Sequence, residues 1–268
     1  MREHSQRLGQ FKVLTFDCYG TLIDWETGIW DALQPLLMQN TKVALSRDQA
    51  LEAFARHEHR LEARYPSMPY PEILAAVHEA LAAEHGLATT GALDHSFGQS
   101  VPQWPAFADT AEALRILKKY YRLVILSNVH REGFAASNQK LGVEFDAVYT
   151  AQDIGSYKPD PANFEFLLAT LKRDFNLTPA DVLHTAQSLF HDHVPAQSFG
   201  LSTAWIDRQR LSESGRWGAT TRLDDVPRTD FLFHSMAEMA AAVVAETDVR
   251  HGELLRFRGR PRTARPLP

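Results

Sequence analysis

FKVLTFDCYGTL, residues 11–22, is the stretch that decides the architecture. Residues 11 to 16 form a largely apolar, β-prone run that stops at Asp17, and Tyr19-Gly20-Thr21 follows as a loop. A run without polar alternation suits a strand buried on both faces. Similar runs recur at RLVILS (122–127), DAVYTA (146–151), DVLHTA (181–186) and STAWID (202–207). Helix-like segments separate them, at 131–141, at 161–173 behind the favourable first-turn Pro161, and at 192–199. Strands alternating with helices predict an α/β fold, a doubly wound and mostly parallel sheet.

The interval between the first strand and RLVILS is different in kind. Leu51, Phe54, Leu61 and Tyr65 follow helical spacing, as do Ile73, Leu74, Val77 and Leu81, while five prolines from Pro66 to Pro105 punctuate the segment. Residues 25–104 therefore read as a helical cap inserted after the first strand, above the strand ends where open α/β sheets bind ligands. The core is the discontinuous remainder, 11–24 and 105–246, with FLFHSMAEMAAAVVAE (231–246) supplying a last strand and helix. The tail 249–268 carries six arginines among Pro and Gly and is expected to be disordered.

Composition narrows the function classes. Hydrophobic residues are 44% and charged residues 23%, as in ordinary globular proteins, and a net charge of −5 gives no reason to expect nucleic acid. One cysteine, Cys18, rules out an intrachain disulfide framework and fits a reducing compartment. Neither a signal peptide nor a membrane span is legible, so the expectation is a cytoplasmic protein with a small-molecule partner. The apolar insert helices are compatible with a homodimer.

Four short segments fall at strand ends: Asp17 to Thr21 in FDCYGTL, Ser127-Asn128, Lys158 in SYKPDP, and Asp192 in AQSLFHD. In order and spacing they resemble the four signature motifs of the haloacid dehalogenase superfamily, over roughly residues 11 to 207. The chemistry is intelligible without the name. A carboxylate at the end of a buried strand needs donors, which a Lys158 ammonium and a Ser127 hydroxyl supply, and these are expected to lower its pKa. Kept ionised and poorly hydrated, Asp17 is then a nucleophile that divides a displacement into ester formation and ester hydrolysis.

Phosphatases of the superfamily carry a second Asp two residues after the nucleophile and an acidic pair in the fourth motif that helps hold Mg²⁺. Tyr19 and Ser188 stand in those places here. A halide leaves as a stable anion and requires neither service. DxYGT is similar to the L-2-haloacid dehalogenase branch, which implies a metal-independent, cofactor-free hydrolase acting on a small carboxylate with inversion at C2. By that resemblance Asp17 is the nucleophile. Tyr19, Thr21, Ser127 and Asn128 orient substrate or Asp17, Lys158 holds charge at Asp17, and Asp192 positions water. The family's aromatic hydroxyl after the Lys corresponds to Phe164, and its Ser and Asn in the fourth motif to Gln187 and Leu189. His184, His191 and His193 are candidate substitutes for a base, although 191 and 193 point apart on a helix.

An insert arginine binds the departing halide in that branch, and Arg56 and Arg60, from the row Arg56, Arg60, Arg64, are the candidates. Their alternative is a solvated face paired with Glu58 and Glu62. Trp25, Tyr70 and Trp104 are candidates for an apolar pocket wall, with simple core burial the alternative. Two other functions compete: an Mg²⁺-dependent phosphatase of the same fold, and a non-catalytic binding protein with a degenerate site.

Overall fold

The computed structural model describes the backbone of residues 6–215, 223 and 225–258, with side chains through Val249. Strands β1 (Val13–Phe16), β2 (Arg122–Ser127), β3 (Ala147–Thr150), β4 (Val182–Ala186), β5 (Ser202–Ile206) and β6 (Phe231–Phe233) form one sheet. Its order is β3-β2-β1-β4-β5-β6, and every pairing is parallel. The chain builds outwards from β1 through β2 to β3, then returns to the other side of β1 for β4, β5 and β6. The order thus reverses between β1 and β4, which makes the end of β1 the switch point where such sheets bind ligands.

Helices α1 (Trp25–Gln39), α2 (Arg47–Arg64), α3 (Tyr70–Glu84) and α4 (Gly91–Gly98) all lie between β1 and β2. The remainder, α5 (Thr110–Leu117), α6 (Arg131–Leu141), α7 (Ala151–Ile154), α8 (Ala162–Phe175), α9 (Val194–Ser198) and α10 (Met236–Arg258), accompany the sheet. Strand alternation splits the core in two. Leu14 and Phe16, Leu123 and Ile125, and Leu183 face one side, with α5, α6 and α10 represented there by Leu114, Phe134 and Met239. Val13, Val124, Leu126 and Val182 face the other, against Phe164, Leu167 and Leu171 of α8 and Ala196 of α9. Burial on both faces is why the strands read as unbroken apolar runs.

α10 extends to Arg258, and residues 259–268 lie outside those described. Two expectations need correction. The helix expected at 192–199 is a π-helical turn, Leu189–His193, running into α9, with Ser188 accepting from the His191 amide at its start. Tyr65 does not extend the buried stripe of α2: it caps a helix that ends at Arg64 and is exposed. Among the described residues no helix is long and apolar enough to cross a membrane.

Candidate active site

Phe16 at the end of β1 lies beside Ile125 of β2 and Thr185 of β4, so the loops leaving three adjacent strands meet above it. Asp17 is the first residue of one of these loops and is 6% exposed. The turn behind it requires glycine: Gly20 has φ +95°, and a Cβ there would lie 3.1 Å from both Gln187 Oε1 and Trp25 Nε1. Thr21 then folds back, and its hydroxyl donates to Asp17 Oδ2 at 2.9 Å while accepting from the Gln187 amide at 2.9 Å.

Lys158, on the segment between α7 and α8, is 2% exposed. Its Nζ donates to Asp17 Oδ1 at 2.9 Å, to Asp192 Oδ1 at 2.6 Å and to the Leu126 carbonyl at 3.0 Å, which uses its three donors. Asn128, just past β2, clamps the Lys158 backbone on both sides, accepting from its amide at 2.7 Å and donating to its carbonyl at 3.0 Å. Asp192 Oδ1 also meets His184 Nε2 at 2.9 Å, and His184 Nδ1 meets Thr15 Oγ1 at 2.8 Å. The π-helical turn allows this, carrying Asp192 inwards while His193 bonds the Ala186 carbonyl from a fully buried position.

The electrostatics follow from one ammonium serving two buried carboxylates. Burial opposes charge on Asp192, but Lys158 and His184 outweigh it and hold its carboxyl well below the usual range. Burial raises the Asp17 carboxyl, with Lys158 opposing and the Asp192 charge adding to the rise. The expected lowering of Asp17 is therefore not found, because burial outweighs the pull of Lys158 and the Asp192 charge adds to the rise. Lys158 is itself raised, since the two carboxylates overcome its desolvation.

Asp17, Lys158 and Asp192 open onto a cavity of about 90 Å³. Tyr19, Trp25, Tyr70 and Trp104 wall it, with Asn128, Gln187, Ser188 and His191 on the sheet side. His191, rather than His193, faces the cavity; burial lowers its pKa to about 4, so it is a weak base. Ser127 is 2% exposed and its hydroxyl has no partner among the described residues, and it does not line the cavity with the others.

The arginines expected in the pocket are elsewhere. Arg56, Arg60 and Arg64 are exposed, and Arg56 pairs with Glu84 at 2.5 Å. The same helix instead turns Glu58 and Glu62 into the cavity. Glu58 accepts from Tyr70 Oη at 2.6 Å, and Glu62, 5% exposed, accepts from Asn128 Nδ2 at 3.3 Å. Burial pushes Glu58 up to about 7, and burial together with the Glu58 charge raises Glu62 further. The sequence held a signal for this, because Leu51, Phe54, Ala55, Glu58 and Glu62 continue a single helical stripe whose apolar members are buried or half-buried.

The donor set does not suit the Mg²⁺ on which phosphatases of this fold depend. Asp17 and Asp192 already share the Lys158 ammonium, and Tyr19 and Ser188 replace the further carboxylates. Among the described residues no cluster of three or more His, Cys, Asp or Glu side chains is arranged to hold a metal.

An all-parallel sheet with its insert after β1 and an Asp–Lys–Asp centre at the switch point defines the class. The haloacid dehalogenase-like hydrolase family matches residues 11–185, more than half of the chain, and the chain belongs to that family. The chain is 28% identical over 207 residues to the (S)-2-haloacid dehalogenase 4A of Burkholderia cepacia, covering 74% of this chain and 84% of that one. The L-2-haloacid dehalogenase of Xanthobacter autotrophicus superposes with a TM-score of 0.69 at 18% identity, over 87% of this chain and 98% of its own. The magnesium-bound HAD-hydrolase YfnB of Bacillus subtilis gives the same TM-score and identity, over 89% of this chain and 100% of its own. At such identities the two structures speak for the fold alone.

Proposed function

We propose that the protein hydrolyses a carbon–halide bond of a small 2-haloalkanoic acid through an ester on Asp17, without a metal and with inversion at C2. The observation that carries this reading is the fixed Asp17 carboxylate, one oxygen held by Lys158 and the other by Thr21, at the wall of a cavity lined by aromatic rings. A carboxylate so oriented attacks C2 from the side opposite the halogen, and the halide departs with the electron pair of the broken bond. Aromatic edges suffice as weak donors for that ion. Water then adds to the Asp17 carboxyl carbon, and collapse of the tetrahedral species frees the 2-hydroxy acid and the carboxylate. Asp192 Oδ2, buried and without a partner among the described residues, is the acceptor available to hold the attacking water, whose proton passes to the departing alkoxide oxygen. Residues 25–104 act as the cap that closes over this chemistry, which supports exclusion of bulk water.

The test is a single turnover in heavy-oxygen water with 2-chloropropionate enantiomers and haloacetates, followed by mass spectrometry of the Asp17 peptide. Heavy oxygen in Asp17 is the expected result, with halide release that is abolished in Asp17→Asn and indifferent to chelator or added Mg²⁺. Label confined to the product, or cleavage of phosphoesters that depends on Mg²⁺, overturns the reading.

A further inference from the structure

The substrate-facing wall of the cavity has the wrong charge for a simple haloacid anion. Its one lysine has spent all three donors inside the protein, on Asp17, Asp192 and the Leu126 carbonyl. No arginine or second lysine is among the described residues that line it. The same cavity is lined by two carboxyl groups one helical turn apart, Glu58 and Glu62, together with the rings of Tyr19, Trp25, Tyr70 and Trp104. An incoming carboxylate would meet like charge in this cavity as Glu58 ionises, in a setting of low polarity where repulsion is amplified. The unpartnered Oδ2 of Asp192, 1% exposed, adds a further acceptor to the same cavity and no donor.

We infer that Glu58 and Glu62 form a subsite for a cationic nitrogen, so that the substrate is a haloacid bearing an ammonium group rather than a plain haloalkanoate. This rests on the reading of Asp17 as nucleophile at a carbon–halide bond and deepens it by naming the substrate class. Carboxylates and aromatic faces are the two groups that best stabilise a desolvated ammonium, one by charge and hydrogen bonding, the other by the ring quadrupole. Both are present and already anchored. Tyr70 holds Glu58, Asn128 holds Glu62, and Tyr19 is fixed by Ser137 at 3.0 Å and by the edge-on Trp104 ring at 5.3 Å. Without a cation the two acids are held above their ordinary pKa values, an unfavourable state that a bound ammonium relieves.

Binding of such a cation strengthens as the acids ionise. The groups that face them are Tyr70 from α3, Asp17 and Tyr19 from the loop after β1, Tyr157 and Lys158 from the segment after α7, and His191 and Asp192 from the π-helical turn. His191, near 4, keeps its charge state between pH 6 and 8. Glu58, near 7, does not.

The experiment needs no turnover. Halogen-free ligands of matched size are titrated calorimetrically into the wild-type full-length chain: propylammonium, 3-aminopropionate, propionamide and propionate. The two ammonium ligands are expected to bind about tenfold or more tightly than the other two at pH 8, with the advantage shrinking about fivefold at pH 6. Glu58→Gln and Glu62→Gln, each with thermal unfolding recorded to show a folded chain, are expected to erase the preference. Equal or tighter binding of propionate by wild type overturns the inference, as does a preference that survives in both Gln variants. The wild-type pH series stands even if a variant fails to fold. Heavy-oxygen labelling of Asp17 is a separate readout, so the nucleophile can fail while the cation preference holds, and the reverse.

Discussion

Lys158 Nζ lies 2.9 Å from Asp17 Oδ1, and the same nitrogen lies 2.6 Å from Asp192 Oδ1, so one buried ammonium neutralises the nucleophile and its neighbour together. Replacing Lys158 with Met leaves both carboxylates buried without a counter-ion. Such breaks in buried pairs cost roughly 3–5 kcal/mol when the remaining charge stays ionised. The expected outcome is turnover reduced by about 10³-fold or more. The loss of stability should be larger at pH 8 than at pH 4, because in acid the orphaned carboxyls take up protons. Denaturation at the two pH values is the check, and equal losses would place the ammonium outside this network.

His184 is expected to position rather than to react. It is fully buried between Thr15 and Asp192 and does not line the cavity. His184→Phe removes both hydrogen bonds and leaves a buried hydroxyl and a carboxylate oxygen less satisfied, at about 1–3 kcal/mol. Asp192 then loses one of the two groups that keep its carboxyl low. The acid limb of the rate profile should shift to higher pH as kcat falls by about 10- to 100-fold, with KM little changed. A variant that loses only stability, with an unmoved pH profile, would reduce His184 to a core residue.

How much of this was legible in the sequence differs between sheet and insert. The strands were readable because both faces of each are buried, leaving runs such as RLVILS that coincide with β2. The meeting of Asp17, Lys158 and Asp192 was readable only through resemblance, since β1 and β4 are neighbours in space but more than 160 residues apart in sequence. Glu58 and Glu62 were misread for a physical reason. In RHEHRLEAR acids and bases alternate on a four-residue spacing, so charge alone does not say which set faces inwards. Only the phase set by Leu51 and Phe54 does.

The acids should weaken the fold at neutral pH. A carboxyl whose folded pKa lies above its unfolded value binds its proton more tightly in the native state. Its penalty is therefore absent below about pH 4.5 and grows as pH rises towards 7, the value to which Glu58 is pushed. For Glu58 the full effect is at most about 3 kcal/mol. Glu58→Gln and Glu62→Gln are thus expected to be more stable than wild type at pH 8 and nearly equal to it at pH 4.5. Urea unfolding at both pH values checks this; wild type equal to both variants at pH 8 would mean that the acids are well solvated.

Arg56 and Arg60 provide a control on the placement of the halide. Both are exposed, and Arg56 is joined to Glu84 at the surface. Exposed pairs contribute about 0–1 kcal/mol. Arg56→Ala and Arg60→Ala should therefore keep kcat and KM within about twofold of wild type and change the unfolding midpoint only slightly. A loss of ten-fold or more in halide release from either variant would mean that α2 turns over during the reaction to present its arginine row.

Gly28 tests whether the aromatic wall must stay where it is. A Cβ at this position in α1 would come within 2.3 Å of the Trp104 ring, and Trp104 is 1% exposed, so the ring has little room to retreat. Trp104 also holds its neighbours: it meets Tyr19 edge-on at 5.3 Å and Tyr70 at 6.5 Å, and its Nε1 donates to Ser100 Oγ at 3.1 Å. Overpacking of this kind typically costs about 1–3 kcal/mol. Helix propensity favours Ala over Gly by about 1 kcal/mol, so the net loss is expected to fall near the middle or lower part of that range. Gly28→Ala should also displace Tyr19 and Tyr70 and weaken substrate binding more than it slows the chemical step, raising KM with a smaller change in kcat. Steady-state kinetics alongside near-ultraviolet circular dichroism of the tryptophan and tyrosine bands reads both effects. An unchanged spectrum with unchanged KM would show that the wall yields freely and does not set the shape of the cavity.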